Sequence, residues 1–341
     1  MLSRTADHLF WMARYMERAE NTARMLDVNY QMSLLPQSAE QAEQGWLGVI
    51  GISELTAAFA AKYPDFDSRH VMEFMVRDAG NASSITACVA AARENARAVR
   101  GALTTEVWET TNQTWLEFNR LLAGNTIHRD PSSLFEWVKF RSHLSRGVTV
   151  GTMLQDEALH FLRIGTFLER ADNTARLLDV KFQSLAGDYF GPRGGSSQAQ
   201  SQSQSQSQSQ SQGPAARDAP EVDFYHWSAV LRSVSGFEVY RKVYRNVIRP
   251  DKVAELLILR PDMPRSLAAC MNALMTNLQL VANAQCAETL RRAGRLQSDL
   301  QYGNIEEILA TGLHAYLTQF LDRVGDLGVG ISRDFLVPMA A

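Results

Sequence analysis

The 341-residue chain is 45% apolar, enough for a large core in one or two domains, and its net charge of −3 gives no basic surplus calling for nucleic acid or an anionic membrane as partner. Cys88, Cys270 and Cys286 are too few and too scattered for a disulfide framework or a thiolate metal site, and read as small core residues. No uncharged apolar stretch reaches the ~18 residues of a membrane span, and residues 1–8 lack a basic start followed by an apolar run, so the chain reads as cytoplasmic.

Taken in order, Ser3 is placed to cap a first helix running to about Leu34, before Pro36, with Asp7 in its first turn. Ser38 and Gln41 form a capping-box pattern opening a second helix through Ala61, and Gly45, Gly48 and Gly51 near its start predict close approach to a neighbour. Asp67 begins a short helix, Asn81 a longer one to about Gly101, and Thr105 another to Gly124. Ser133 and Glu136 form a second capping-box pattern, and the helix they open is expected to falter at Gly147 and Gly151. A further helix is predicted over 154 to 185.

Residues 196 to 213 are almost wholly Ser and Gln, which cannot bury apolar surface, and are expected to be a disordered tether. Helical sequence resumes at Phe224. Tyr240 and Tyr244 stand one turn apart with Arg241 and Arg245 beside them; stacking on single-stranded RNA is one use for such a set, and packing as core and rim is the reading preferred for an acidic chain. Pro250 starts a helix at its favoured first position. The loop Arg260 to Arg265, with two prolines, leads to Ser266 at a helix N-terminus, where anions bind well. Asn304 and Glu307 mark a last helix extending to Phe335. No alternating β-branched run is long enough for a sheet, so the fold class is all-α: a multi-helix bundle with two long central helices. The division is 1–185 carrying both motif helices, 186–220 a linker, and 221–341 completing the same bundle.

Those two helices carry one stretch twice. Residues 15–31 recur at 167–183, displaced by 152, with 11 of 17 positions identical: Glu17-Arg18 returns as Glu169-Arg170, Asn21 as Asn173, Arg24 as Arg176, and His8 falls on His160. At about 100° per residue, Glu17, Asn21 and Arg24 lie within roughly 80° of each other, opposite an apolar sector. Phe10 and Val28 bracket the polar stripe along its own line, so both sides of the helix read as covered, and a covered carboxylate or guanidinium must be paired or used. One reading is plain ion-pair glue, Glu17 with Arg176 and Glu169 with Arg24; the other is a polar site shared by the two helices. On the wheel Arg18 and Arg170 stand about 100° off the stripe, pointing beside the helix pair and not between its members.

Other chemistry is weaker. Glu157 and His160 have the spacing of a di-iron bundle fragment, but Thr5 stands where the second copy needs its Glu, and Glu169 faces away from His160; core histidines with satisfied nitrogens are the preferred reading, a carboxylate-bridged metal protein the lesser one. No phosphate-binding Gly-rich loop and no nucleophile elbow is present, so nucleotide is expected on a partner.

The doubled Glu-Arg-Ala-(Glu/Asp)-Asn-Thr-Ala-Arg stretch resembles the bacterial alpha-E domain proteins. Leu2-Ser3-Arg4, Glu94 to Arg97 with Trp108 and Asn112, and Met263 to Ser266 extend the likeness over nearly the whole chain outside the linker. The resemblance implies association with a circularly permuted ATP-grasp ligase, often with a transglutaminase-like protein nearby, in amide or peptide bond formation; ATP and Mg would belong to the ligase, with no cofactor or metal on this chain. The expected binding set is Arg14, Glu17, Arg18, Asn21, Arg24, Arg97, Glu169, Arg170, Asn173, Arg176 and Arg265, with Arg4 and Arg100 as additions, presenting a pocket to an amino, carboxylate or acyl-phosphate group. The alternative is a stand-alone enzyme of amide transfer or hydrolysis with Glu17 or Glu169 as general base. A carboxylate among arginines has a lowered pKa and is a poor base, which favours binding.

Overall fold

The structure is a computed structural model that describes residues 1–186 and 219–336. It is all-α, with no strand among the described residues. The predicted tether, 196–213, lies outside them.

The first eight helices are α1 (Ser3–Ser33), α2 (Ala39–Ile52), α3 (Thr56–Ala60), α4 (Ser68–Val76), α5 (Ile85–Ala98), α6 (Thr105–Ala123), α7 (Thr126–Arg129) and α8 (Pro131–Thr152). The next eight are α9 (Glu157–Ala186), α10 (Ala219–Ser233), α11 (Phe237–Tyr244), α12 (Pro250–Ile258), α13 (Leu267–Leu280), α14 (Ala287–Gln301), α15 (Ile305–Thr311) and α16 (Leu313–Phe335). The second set repeats the first. Helices α4, α5, α6 and α8 start 182 residues before α12, α13, α14 and α16, and the 30 residues by which this exceeds the motif displacement of 152 are inserted between α9 and α10. Packing repeats as well: α1 lies on α5 and α8 as α9 lies on α13 and α16, while α6 joins α5 to α8 as α14 joins α13 to α16. The duplication visible in 17 residues of sequence therefore extends through the helical order of the whole chain.

Side-chain caps explain seven of the helix starts. The Ser38–Gln41 capping box forms, and Asp67, Ser84, Thr104, Asp130, Ser266 and Asn304 each accept a bond from a backbone N–H of the following turn. Several expected boundaries shift. Leu2 precedes α1 and Ser3 makes no cap bond. The second helix stops at Ile52, because Glu54 takes a left-handed φ of 56°. Asn81 makes a turn to Ser83 N–H three residues ahead of the true cap, Ser84. Asp130 and Pro131, not Ser133, open α8, which runs unbroken through Gly147 and Gly151. Gly312, at φ 103°, separates the short helix after Asn304 from α16.

From Met16 to Asp27, α1 is buried at every position but Arg18, as a helix wrapped on all sides must be. Its N-terminal half shares an apolar core with α9 and α10–α16. Its C-terminal half is enclosed by a second core drawn from α2 and α4–α8. The glycines of α2 serve close packing, Gly45 against Asn29 and Gly48 against Val180 and Lys181. Tyr240 is buried, its hydroxyl donating to the Val247 carbonyl and accepting from Arg249 N–H, so it belongs to the core.

Candidate functional site

The two Glu-Arg dipeptides clasp each other across the α1–α9 crossing. Arg170 donates Nε and Nη2 to the two oxygens of Glu17, both at 2.9 Å. Arg18 grips Glu169 in the same way at 2.6 and 3.1 Å. The crossing dictates this exchange. Gly165, one turn before Glu169, lies so close to Phe10 that a Cβ there would sit 2.3 Å from the Phe10 carbonyl oxygen. With the backbones touching just ahead of the dipeptides, each carboxylate comes within reach of the other helix's guanidinium. Arg18 and Arg170 thus lie between the helices, not beside them as the wheel implied, since a long side chain carries its charge well off the direction of its Cβ.

The expected pairs Glu17–Arg176 and Glu169–Arg24 do not form. Both arginines stand nearly two turns past the dipeptides, where α10 and α2 come in against α1 and α9. Arg24 turns back to Glu20 at 2.7 and 2.8 Å and reaches Ser235 at 2.6 Å. Arg176 turns back to Asp172 at 2.8 Å and also pairs with Glu54.

Around the common clasp the two repeats differ. On the first side Arg265 and Arg146 also bind Glu17, at 2.9 and 3.0 Å, and both reach Glu20, which in addition accepts from Ser142 Oγ at 2.7 Å. Arg265 donates to Asn21 Oδ1 at 2.8 Å, while the buried Asn21 Nδ2 has no partner among the described residues. Two carboxylates here touch four guanidiniums, Arg24, Arg146, Arg170 and Arg265, a surplus of two positive charges. On the other side Glu169, Asp172 and Glu54 meet Arg14, Arg18 and Arg176, which balances.

Burial is the largest influence on Glu17 and would raise its pKa, but Arg170 and Arg265 overcome it and hold the carboxyl down to about 2. Glu20 and Glu169 are likewise depressed against burial, by Arg265 and Arg146 and by Arg14 and Arg18 respectively. Burial lowers His143, which is left neutral enough to accept from Arg24 at 2.9 Å. Burial pushes the Cys88 and Cys270 thiols up to about 12, so both are unreactive core residues.

Of the residues picked from sequence, Arg14, Glu17, Arg18, Asn21, Arg24, Glu169, Arg170 and Arg265 converge. Asn173 is half-buried and Arg176 joins the rim of the second cluster. Arg97 and Arg100 do not join: Arg97 is exposed and paired with Glu94, and Arg100 lies over Trp108. Arg4 is exposed at the start of α1. The reading missed Glu20, although Asp172 repeats it. It also missed Arg146, whose signal was the polar spacing Ser142, Arg146, Thr149 on α8.

The family model described as "a predicted alpha-helical domain with a conserved ER motif", Alpha-E, matches residues 1–336. The chain belongs to the Alpha-E family. The ER of that description corresponds here to Glu17-Arg18 and Glu169-Arg170, the two halves of the clasp. No curated protein and no solved structure matches the chain.

Beside the first cluster of this Alpha-E chain a cleft opens between α1, α8 and α9; Glu17, Arg146, Arg163 and Arg170 line it together with Thr149 and Thr166. The His8 and His160 rings, the histidines considered as ligands, are hydrogen-bonded to Asn95 and Asn277 at 2.8 and 2.9 Å, another repeat-related pair. Among the described residues the one acidic-histidine group with metal spacing is Asp65, Asp67 and His70, on the surface, with Asp67 already engaged as the cap of α4. No helix among the described residues is long and apolar enough to cross a membrane.

Proposed function

We propose that this Alpha-E protein is the binding subunit of an ATP-grasp type ligase in amide or peptide bond formation, offering its Glu/Arg/Asn cluster to the carboxylate or acyl-phosphate group of a substrate. The observation that carries the reading is the unbalanced cluster around Glu17 and Glu20. Structural ion-pair networks gain from neutrality, because every uncompensated buried charge costs several kcal/mol. Two of the four guanidiniums, Arg146 and Arg170, reach the cleft wall, where an anionic substrate would offset part of the surplus. The depressed Glu17 and Glu169 are poorly suited to removing a proton near neutral pH, which favours binding over independent catalysis. ATP and Mg would be held by the ligase. A transglutaminase-like protein is a further partner suggested by the family resemblance.

The test is co-purification with a circularly permuted ATP-grasp ligase of the same genome, followed by ATP turnover with and without this chain. Stable complex formation with faster turnover is expected. No complex and unchanged turnover would refute the partnership.

A further inference from the structure

The two repeats offer an internal control, since each has a cleft at the same place. The counterpart of the α1–α8–α9 cleft lies between α1, α9 and α16, lined by Trp11, Arg14, Asp172 and Gly328. At the repeat-related positions Arg163 stands for Trp11, Thr166 for Arg14, and Arg146 for Gly328. In the second cleft Arg14 is spent on Glu169 and stacked on Trp11, and Arg333 is paired with Asp334. In the first, Arg163 is half-buried and has no ion-pair or hydrogen-bond partner among the described residues. It adds one more positive charge beside a cluster that already carries a surplus of two. Threonine hydroxyls at 149 and 166 flank it, and Leu162, Phe167 and Val150 supply an apolar wall.

We infer that the cleft between α1, α8 and α9 binds a dianionic phosphoryl group attached to an apolar residue, with Arg163 and Arg146 meeting the phosphoryl oxygens and the Phe167 side holding the apolar part. A singly charged carboxylate would leave most of the surplus uncompensated; a phosphate dianion offsets more of it and offers several acceptor oxygens to guanidinium donors, the Thr149 and Thr166 hydroxyls being spent on the Ser145 and Leu162 carbonyls. The counterpart cleft, with its cations already paired, does not share this chemistry. The inference deepens the proposed function, an acyl phosphate being one such ligand, and rests on the same charge surplus. Its test uses the isolated full chain without any ligase, so the two readings fail separately.

Calorimetric titration with phenyl phosphate, inorganic phosphate and benzoate reads it directly. Phenyl phosphate is expected to bind tightest, with inorganic phosphate and benzoate each weaker by about tenfold, the worth of one lost apolar or charge-assisted contact. Arg163→Ala, which removes a side chain without partners, should weaken phenyl phosphate by about tenfold or more and leave thermal unfolding of the free protein unchanged. Val150→Asp, at an exposed position on the cleft wall, should weaken it by repulsion, while Arg333→Ala in the counterpart cleft should have no effect. Failure of phenyl phosphate to bind at millimolar concentration, equal binding of benzoate, or undiminished binding in both cleft variants would overturn the inference. Binding as expected with no influence on any ligase would remove the partnership and leave the cleft assignment standing.

Discussion

Replacing Glu17 by Gln should cost far more stability than the same change at Glu169, although the two residues are repeat-related halves of one clasp. Glu17 accepts from three guanidiniums, and the side chains of Arg170 and Arg265 are only 10% and 9% exposed. An amide in its place leaves one oxygen to accept, turns an NH2 toward donors, and raises the local surplus from two positive charges to three. Of the affected arginines Arg170 and Arg265 are nearly sealed, while Arg146, 31% exposed, can turn toward the cleft. Loss of one partner from such a buried network costs about 3–5 kcal/mol. Glu169 accepts from Arg14 and Arg18, whose side chains are 18% and 25% exposed. Those two can extend their charged ends toward solvent, so Glu169→Gln should cost about 1–2 kcal/mol. Urea unfolding followed by circular dichroism gives both numbers from the midpoint shift at constant slope. Equal losses, or a larger one at Glu169, would refute the claim that only the first cluster is overcharged.

Acid should unfold the protein through the same groups. Carboxyls held below their ordinary value contribute stability that is complete above about pH 4.5 and disappears as pH falls toward about 2, about 3 kcal/mol of it from Glu17; urea midpoints at pH 7 and pH 3 should differ in the wild type and differ less in Glu17→Gln, and a pH-independent wild-type midpoint would contradict this. At the crossing, Gly165→Ala should destabilise by about 1–3 kcal/mol or more by overpacking against the Phe10 carbonyl. Gly147→Ala and Gly151→Ala, helical positions where a Cβ meets nothing within 4 Å, should be neutral or stabilise by up to ~1 kcal/mol; thermal melts distinguish the two signs.

The helical class and the burial of the first stripe were legible in the sequence because they depend on local periodicity and on which residues flank the polar line; in the second copy Asn173 and Arg176 are only half-buried. Caps were legible only in part: Asp130, Pro131 and Ser133 all carry start signals for one helix, and tertiary contacts choose among them. Pairing across the helices was not legible, since it turns on the single close approach of Gly165 to Phe10. Glycine in a helix announces proximity to something without saying to what. Arg265 was named on resemblance; its reach to Glu17, Glu20 and Asn21, 248, 245 and 244 residues away in the chain, depends on α13 packing along α9, which no wheel displays.

The duplication separates the part of the motif that holds the fold from the part that departs from it. What both repeats keep is the clasp, Glu17–Arg170 and Glu169–Arg18, together with the i, i+4 pairs Glu20–Arg24 and Asp172–Arg176. These are balanced and sufficient to join α1 to α9. What only the first cluster and its cleft add is cationic: Arg146 where the counterpart is Gly328, Arg265 where it is Ser83, and Arg163 where it is Trp11. Since the second cluster packs without these additions, the fold does not require them, and their effect on the isolated chain is to accumulate like charge against self-repulsion and desolvation. Arginines in excess of what the buried carboxylates balance are what the proposed ligand would compensate. The Glu-Arg dipeptides themselves are paired as glue would be, and the proposed site consists of the arginines gathered around one of them.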